Sequence, residues 1–364
     1  MNTSKLRCWC EVNLSAIGHN LKVLRKKIGP GPKIMCLVKA DAYGHGLVPT
    51  ARYFETSDCQ MLGCAHLQEG ATLRKAGIRL PILLLSAPLT AEIHDILKNN
   101  LMLAVSSLDE AGRIAQTAEK LRCIARVHLK LNTGMNRLGA EPVEFCKLLD
   151  YARRHPRLRV EGVFSHYAGA DSDREFTLRQ WKLFERHTPE DISRHICNSA
   201  GILNFPKSAC HIVRPGIAVY GLSPVPGKQD WFKPALEWKS RVTFVKRISK
   251  GTPVSYGSTF RSLRAMRVAT VAVGYGDGLF RSLSNKGSVL VQGRRCRILG
   301  RVTMDQIVVD VTGLRRVRNG TEAVLLGRQK KDSIIATEMA EWAGTISYEI
   351  LTHVTDRVPK LYIQ

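Results

Sequence analysis

Short apolar runs alternate with amphipathic segments through the first 216 residues of the chain. Segments with helical periodicity, such as residues 106–121 and 141–155, separate the apolar runs. Apolar strands that alternate with helices indicate a parallel sheet covered on both faces. Eight such units favour a (β/α)8 barrel of the TIM type over an open sheet. The predicted strands are residues 33–40, 61–66, 81–86, 101–106, 125–131, 160–166, 195–199 and 211–216.

The pattern changes after residues 221–234, which are rich in Pro and Gly and are typical of a linker. Strand-like alternation with glycine turns then continues almost to the carboxyl terminus, and residues 7–14 alternate in the same way. We therefore predict a barrel over residues 12–232 and a mainly β domain over residues 233–364. A strand within residues 6–14 is a candidate to join the β domain from the other end of the chain.

A helix is predicted before the first barrel strand, over residues 15–29. Ser15 is its expected amino-terminal cap, and Gly29 is its expected end. The amino terminus has no apolar signal-peptide core, and no run reaches the roughly 18 apolar residues that span a bilayer. The sequence thus predicts a cytoplasmic protein.

Ten cysteines fit a cytoplasmic protein if they stay reduced, because their spacing forms neither paired CxxC sites nor a disulfide framework. Cys59, Cys64 and His66 are conceivable metal ligands. Cys64 and His66 flank a small apolar strand, however, and packing is the better interpretation of both. No metal site is predicted.

The net charge of +24, from 55 basic and 31 acidic residues, favours anionic ligands. Basic clusters occur at residues 24–27, 293–297 and 314–318. They are scattered and lack interleaved aromatic residues, so solvated basic faces are predicted rather than a specific nucleic-acid site. RNA binding stays open as an alternative, and a steep salt dependence would reveal it.

Chemistry in such a barrel lies at the carboxyl ends of the strands. The turns at residues 198–201 and 214–217 offer backbone N–H groups, a hydroxyl and a helix amino terminus, which suit a phosphate monoester. Lys39 ends the first strand, and a partly desolvated lysine can condense with an aldehyde. An aldehyde and a phosphate occur together in pyridoxal 5′-phosphate (PLP), which is the predicted cofactor. Further polar residues at the strand ends are Lys130, Arg137 and His166.

Several motifs resemble those of the alanine racemase family, and the resemblance covers nearly the whole chain. They are VKADAYGHG (38–46), LNTGMNRLG (131–139), FSHYAGAD (164–171), CNSAG (197–201), RPGIAVYG (214–221), VSYGSTF (254–260), VGYGDG (273–278), GRVTMDQ (300–306) and TISYEI (345–350). The resemblance implies a PLP-dependent homodimer that interconverts L- and D-alanine and supplies D-alanine for peptidoglycan.

The resemblance also implies two catalytic bases, Lys39 and Tyr256 of the partner subunit. Inversion at Cα needs deprotonation on one face and reprotonation on the other. A free tyrosine, with a pKa of about 10, is a poor base. His166 and Arg214 are therefore expected to favour its phenolate. Arg214 is expected to face the pyridine nitrogen of PLP, where a permanent cation weakens the electron sink and limits transamination.

The remaining roles are carried over from the family motifs one residue at a time. The expected cofactor contacts are Lys39, Tyr43, His166, Asn198, Ser199, Arg214, Gly216, Ile217 and Tyr348. The expected substrate contacts are Arg137, Met304, Asp305 and Tyr275. Arg137 is expected to approach the cofactor oxygen or the substrate carboxylate. Met304 and Asp305 are expected to be supplied by the partner subunit, and Tyr275 is expected to narrow the entry path.

Lys130 matches a lysine that is often carbamylated in the family, which would turn a cation into an anion that positions Arg137. The chain departs from the family pattern at Thr303, where a cysteine is frequent. His45, His128 and His195 receive no role and are interpreted as structural residues.

Three other functions stay open. A basic amino-acid decarboxylase of the barrel type would carry a glycine-rich phosphate loop, whereas this chain has NSAG and RPGI. A racemase of broader specificity, for serine for example, differs only in a few pocket side chains. A non-catalytic PLP-binding barrel would not need the β domain that carries Tyr256.

Overall fold

The computed structural model of the protein describes residues 3–364, and the chain divides into two compact units. The β unit consists of Met1–Ile17, Tyr43–His45 and Lys233–Gln364, and the barrel unit consists of Gly18–Ala42 and Gly46–Phe232. Strand β1 (Cys8–Asn13) is the first strand, and helix α1 (Leu14–Ile28) follows it.

The barrel unit contains eight parallel strands in the order β8-β7-β6-β5-β4-β3-β2-β9. Two hydrogen bonds join the ends of this order, from His211 N to Arg194 O (3.1 Å) and from Arg214 N to Cys197 O (2.9 Å). The predicted (β/α)8 barrel is confirmed, and each of the eight apolar runs contains or overlaps a strand. The strands are β2 (Lys33–Leu37), β3 (Met61–Cys64), β4 (Ile82–Leu84), β5 (Met102–Val105), β6 (Ala125–Lys130), β7 (Leu158–Phe164), β8 (Arg194–His195) and β9 (Ile212–Val213).

The barrel strands are followed by helices. Buried apolar side chains from the strands fill one layer of the barrel. This layer comprises Met35, Met61, Leu83, Met102 and Ile212, which come from five neighbouring strands of the barrel. The helices are α2 (Lys39–Gly44), α3 (Leu47–Glu55), α4 (Leu67–Lys75), α5 (Ile93–Lys98), α6 (Leu108–Lys120), α7 (Pro142–Arg154), α8 (Arg174–His187) and α9 (Ser199–Asn204).

The first helix begins one residue earlier than predicted and has a different cap. Asn13 Oδ1 accepts a hydrogen bond from Ala16 N (2.9 Å), whereas the hydroxyl of Ser15 donates to the same oxygen. The predicted serine cap is therefore wrong, because an asparagine at the end of β1 already satisfies the first free N–H groups. Gly29, with φ +74°, follows the last helical residue as predicted.

The β unit is built on a nine-stranded sheet, which confirms the mainly β second domain. Strand β1 lies between β10, to which it is antiparallel, and β19, to which it is parallel. The unit also contains helices α10 (Ala336–Ala343) and α11 (Ser347–Thr352). Its strands are β10 (Leu236–Ile248), β11 (Pro253–Val254), β12 (Phe260–Arg261), β13 (Met266–Val271), β14 (Ser288–Val291), β15 (Arg294–Arg297), β16 (Ile307–Asp310), β17 (Glu322–Gln329), β18 (Asp332–Ile334) and β19 (Lys360–Ile363).

Short 3₁₀ turns complete the secondary structure. They are Thr3–Lys5, Thr90–Glu92, Pro206–Ser208, Gln229–Trp231, Tyr256–Ser258, Tyr275–Asp277 and Arg281–Leu283. Across residues 3–364, no helix has the length and apolar character needed to cross a membrane. Within the same residues, no group of three His, Cys, Asp or Glu side chains is arranged to hold a metal ion, so Cys59, Cys64 and His66 form no such group.

Candidate active site

The segment after strand β2 is a left-handed helical turn. The strand ends at Leu37, so the prediction that it extends to residue 40 is wrong. The φ angles of Ala40, Asp41, Ala42 and Tyr43 lie between +51° and +54°. Each such residue costs about 1–2 kcal/mol. The turn starts at Lys39 and must be held by specific contacts.

Gly44 continues the left-handed turn at φ +80°. A Cβ atom at this position would lie 2.1 Å from the carbonyl oxygen of Leu351, which no side chain tolerates. Inside the barrel unit, Ala42 N donates to Val38 O (2.8 Å) and Leu47 N donates to Asp41 Oδ1 (2.6 Å). These contacts fix the backbone on the carboxyl side of Lys39.

Glu69 of helix α4 holds the turn from the other side. Its two carboxylate oxygens accept from Ala40 N (2.6 Å) and Ala65 N (2.7 Å), so it joins the ends of strands β2 and β3. Burial, followed by the positive charge of Arg137, lowers the pKa of Lys39, and the charge of Glu69 opposes this shift. Glu69 is thus a positioning residue for Lys39.

Replacing Glu69 with glutamine is expected to weaken the turn, because glutamine keeps one acceptor oxygen and loses the charge. We expect the free energy of unfolding to fall by about 1.5–3 kcal/mol, the contribution of a hydrogen bond to a charged group. The pKa of Lys39 should fall further as the opposing charge is removed. Urea denaturation and the pH dependence of reductive methylation at Lys39 measure the two effects. Glu119→Gln, on the exposed face of α6, is the matched control. Equal stability of both variants would contradict the assignment.

The loop that carries Arg137 is fixed by Asn132. Asn132 Oδ1 accepts from the N–H groups of Gly134 and Asn136, both at 3.1 Å. Gly139, at φ +115°, lets the chain approach Asn132 so closely that a Cβ atom would lie 2.7 Å from Asn132 N. The side chain of Arg137 is exposed and has no hydrogen-bond partner within residues 3–364, which leaves it available for an anion.

Lys130 lies at the end of strand β6 and is 5% exposed. Burial, and then the positive charges of Arg214 and Arg137, lower its pKa to about 8. Its Nζ atom lies 5.4 Å from the centroid of the Phe164 ring. Lys130 therefore has a larger neutral fraction near physiological pH than an ordinary lysine.

Arg214 follows strand β9 and is 1% exposed. Its Nη1 atom donates to His195 Nδ1 (2.6 Å). Its Nη2 atom donates to Ser165 O (2.6 Å), to His166 Nδ1 (3.1 Å) and to Ile196 O (3.3 Å). Burial lowers the pKa of Arg214 to about 10, so the guanidinium remains charged at neutral pH.

His166 follows strand β7 and is held on both its ring and its backbone. Burial, and then the charge of Arg214, hold its pKa well below the ordinary value. The buried Gln180 donates through Nε2 to His166 O and to Thr133 Oγ1, both at 3.0 Å. His166 is consequently a neutral imidazole in a fixed position.

The two turns predicted to bind phosphate meet each other. Ser199 Oγ accepts from Gly216 N (2.9 Å) and from Ala218 N (3.4 Å). The side chain of Asn198 caps helix α9 by accepting from Gly201 N (2.9 Å). The N–H of the buried Ile217 has no acceptor within residues 3–364. A hydroxyl and an unpaired amide in one place are donors that suit a phosphate monoester.

Two further predicted cofactor contacts lie together in the β unit. The ring centroids of Tyr43 and Tyr348 are 6.1 Å apart. Tyr43 is 6% exposed, and burial raises the pKa of its phenol, so it remains a neutral hydrogen-bond donor.

A second group in the β unit contains Tyr256, Tyr275, Met304 and Asp305, which are exposed. Tyr256 is 74% exposed, a high value for an aromatic side chain. Tyr275 N donates to Thr303 O (2.9 Å), and Gly276 N donates to Met304 O at the same distance, which ties the two loops together. A cavity of about 260 Å³ adjoins this face and is lined by Ser255, Tyr256, Thr270, Arg301, Thr303, Gln306 and Val308.

The residues of the barrel mouth fit an anionic cofactor. Mutual repulsion among Lys39, Lys130, Arg137 and Arg214 contributes to the lowered pKa values of both lysines and of His166. The phosphate of PLP and the carboxylate of an amino acid would relieve this repulsion. Lys39 supplies an amine for the aldehyde, and the turns at Ser199 and Ile217 supply donors for the phosphate.

The sequence prediction gave no role to several residues that support this site: Glu69, Asn132, Gln180, His128 and His195. Strand periodicity contains a signal for one of them, because His128 and Lys130 are two residues apart and share a face of strand β6. Asn132 lies in the motif at residues 131–139 and bonds only to near neighbours in sequence such as Gly134 and Asn136, but the motif alone does not assign it a role. Glu69 and Gln180 act on partners that are distant in sequence, and no local pattern identifies them.

Comparisons with known proteins agree with this architecture. A sequence model described as "Alanine racemase, N-terminal domain" matches residues 12–224, and one described as "Alanine racemase, C-terminal domain" matches residues 235–362. An alanine racemase of Methylacidiphilum infernorum (isolate V4) is 40% identical over 358 residues, which cover 98% of this chain and 92% of that protein. One from Symbiobacterium thermophilum is 42% identical over 364 residues, covering 97% and 96% respectively.

The fold is also that of a solved alanine racemase. The structure described as "alanine racemase [Clostridium difficile 630]" is similar with a TM-score of 0.93 and 32% sequence identity, and the match covers 99% of this chain and 96% of that chain. Sequence and fold thus agree over both units, and the chain belongs to the alanine racemase family.

Proposed function

We propose that the protein interconverts L- and D-alanine with PLP bound in the barrel mouth. The observation that carries the proposal is the cluster of Lys39, Lys130, Arg137 and Arg214 beside a phosphate-type donor set, on a chain of this family. The family is PLP-dependent. When bound, PLP draws electron density from the Cα atom of the amino acid and so acidifies its proton.

Two sets of residues would bind the ligands: one binds the phosphate of PLP, and the other binds its aldehyde and the carboxylate of alanine. The Ser199 hydroxyl and the N–H groups of Gly216 and Ile217 would bind the phosphate, the Gly216 N–H in exchange for its hydrogen bond to Ser199 Oγ (2.9 Å), with Tyr43 and Tyr348 as phenol donors. Asn198 would support this turn as the cap of α9. Lys39 would bind the aldehyde carbon through Nζ, and Arg137 would bind the carboxylate of alanine.

The proton transfers require one base on each face of Cα. For one enantiomer, Lys39 Nζ takes the proton and Tyr256 of the partner subunit returns one to the opposite face. For the other enantiomer the two roles reverse. The lowered pKa of Lys39 supports its role, because it increases the neutral amine that can accept a proton.

A homodimer with shared active sites is part of this proposal. Tyr256, Tyr275, Met304 and Asp305 lie exposed on the β unit, as a face that meets a partner subunit requires. Met304 and Asp305 would approach the substrate, and Tyr275 would narrow the entry path. We also propose the limits 12–232 for the PLP-binding domain and 233–364 for the β domain.

Arg214 and His166 would prepare the second base. Arg214 can only donate, so His166 Nδ1 accepts and the proton of the neutral imidazole lies on Nε2. That N–H is available to stabilise the phenolate of Tyr256 of the partner subunit. Arg214 would also face the pyridine nitrogen and keep it unprotonated, which weakens the electron sink.

Carbamylation of Lys130 is expected, since carbon dioxide adds to a neutral amine and the pKa of Lys130 is about 8. The resulting anion would attract Arg137, whereas the free ammonium repels it. In ¹³C-bicarbonate at about pH 8 we expect a protein-bound carbamate signal by ¹³C NMR. The signal should fade at about two pH units lower, where about 99% of the free amine is protonated. It should be missing in Lys130→Ala, and its persistence there would contradict the assignment.

The direct test of the proposed function is chiral chromatography of L-alanine after incubation with the PLP-loaded protein, with L-serine in a parallel reaction. We expect equal L- and D-alanine, with serine much slower. Comparable rates would indicate a racemase of broader specificity. Unchanged amino acids with bound PLP would indicate a non-catalytic PLP-binding protein. The supply of D-alanine for peptidoglycan, in the cytoplasm, completes the proposal.

A further inference from the structure

Arg214 is buried without a carboxylate partner within residues 3–364. A buried guanidinium is costly unless its donors are satisfied. Two carbonyl oxygens and the Nδ1 atoms of His166 and His195 satisfy it here, and the bond to His195 at 2.6 Å is among the shortest. His195 is therefore the acceptor for Nη1 of Arg214, whereas His166 is one of the acceptors for Nη2.

The direction of this contact determines where the protons lie. A guanidinium has donors only, so His195 Nδ1 must accept and is unprotonated. The single proton of the neutral imidazole is then on Nε2, which lies 2.8 Å from His128 Nδ1. His128 Nδ1 accepts in turn, and its own proton lies on Nε2. The result is a one-way chain of donors, Arg214 to His195 to His128.

The surroundings hold both imidazoles neutral and in place. His195 is fully buried and His128 is 1% exposed. Burial and the positive charge of Arg214 keep the pKa of His195 well below its ordinary value, and burial lowers that of His128 to about 3. The Phe164 ring stacks on the His195 ring, with 4.9 Å between the ring centroids and an angle of 4° between the ring planes. The guanidinium carbon of Arg214 lies 5.4 Å from the centroid of the Phe164 ring.

The hydrogen-bond chain from Arg214 ends at His128, at a donor that has no acceptor among the described residues. His128 Nε2 is buried and has no hydrogen-bond partner within residues 3–364. Leaving a buried donor unpaired costs free energy. An unpaired N–H on His128 does not maximise the stability of the fold. This points to a function for the tautomers of His195 and His128.

We propose that His195 and His128 are positioning residues for racemisation, which hold Arg214 in one orientation toward the pyridine nitrogen of PLP. This inference rests on the proposed function. Without the acceptor on His195, Arg214 can turn away and the pyridine nitrogen can take a proton from water. The electron sink then becomes stronger and transamination increases. Alanine and the aldehyde form of PLP become pyruvate and the amine form, and the two electrons lost at Cα reduce the aldehyde carbon.

Two substitutions at one position separate hydrogen bonding from packing. His195→Asn keeps an acceptor oxygen near the position of Nδ1 but loses the ring. His195→Phe keeps the ring against Phe164 but loses the acceptor. We measure pyruvate formed per racemisation event in each PLP-loaded variant. We expect a rise of about ten- to a hundredfold for His195→Phe, the effect of losing a hydrogen bond to a charged group, and a small rise for His195→Asn.

An equal or larger rise in His195→Asn, or an unchanged pyruvate ratio in His195→Phe, would overturn the positioning role while leaving the proposed function intact. Neutron diffraction from deuterated crystals of the unsubstituted protein tests the chain without any variant. We expect deuterium on Nε2 of both His195 and His128. Deuterium on His195 Nδ1 would contradict the order of donors from Arg214 to His195 to His128. A PLP-bound protein that does not racemise alanine would instead refute the proposed function.

Discussion

Replacing Lys39 with alanine is expected to abolish racemisation in both directions. The substitution removes the amine that binds the aldehyde of PLP and one of the two bases. Loss of a positioned base alone lowers a rate by about 10²–10⁴-fold, so we expect a fall of at least about 10⁴-fold when both roles are lost. The measurement is the rate of D-alanine formation from L-alanine, together with the absorbance of bound PLP.

Lys33→Ala is the matched control, because Lys33 is an exposed residue at the start of the same strand β2. It should keep full activity and the absorbance of the unsubstituted protein. Borohydride reduction followed by peptide mapping should attach PLP to Lys39 only. Labelling of Lys130 instead, or residual activity of Lys39→Ala within about 100-fold of the unsubstituted rate, would contradict the assignment.

Tyr256→Phe is expected to slow racemisation strongly, while proton exchange on the face of Cα that Lys39 serves continues. The equilibrium between mirror images is unity, so the loss of either base lowers the rates of both directions equally, by about 10²–10⁴-fold. Lys39 can still remove and return the Cα proton on its own face. In D₂O, one enantiomer of alanine should therefore exchange its Cα hydrogen while the other does not. ¹H NMR of each enantiomer measures this asymmetry.

Mixing the two inactive variants tests whether the site is shared between subunits. If Lys39 works with Tyr256 of the partner subunit, a dimer of one Lys39→Ala and one Tyr256→Phe chain has one intact site and one doubly altered site. A statistical mixture should then regain about a quarter of the full activity. No recovery would place both bases in one chain, and equal full activity of Tyr256→Phe alone would remove the two-base assignment.

The fold was predictable because its signals are local. Each apolar run between residues 33 and 216 contains or overlaps a barrel strand, and the alternation in residues 7–14 corresponds to strand β1. Helices α10 and α11 of the β unit were not predicted, since each is only six to eight residues long and gives a weak periodic signal.

The site was predictable in its residue types but not in its local geometry. Lys39 lies beyond the end of β2, where four non-glycine residues adopt the left-handed conformation against their intrinsic preference. Contacts within the turn hold part of it, but the distant contact from Glu69 to Ala40 N is not visible in the local sequence. The tautomers of His128 and His195 likewise depend on a buried guanidinium that has no carboxylate partner among the residues the structure describes, which no spacing in the sequence reveals.

The most direct test of the two-base account is the isotope content of D-alanine formed from L-alanine in D₂O at low conversion. Two bases on opposite faces predict that nearly every new D-alanine molecule carries deuterium at Cα, because the returning proton comes from a group that exchanges with solvent. The remaining L-alanine should keep more protium than the product. D-alanine that retains the original protium would show that a single base carries the proton across, and would contradict the roles of Lys39 and Tyr256.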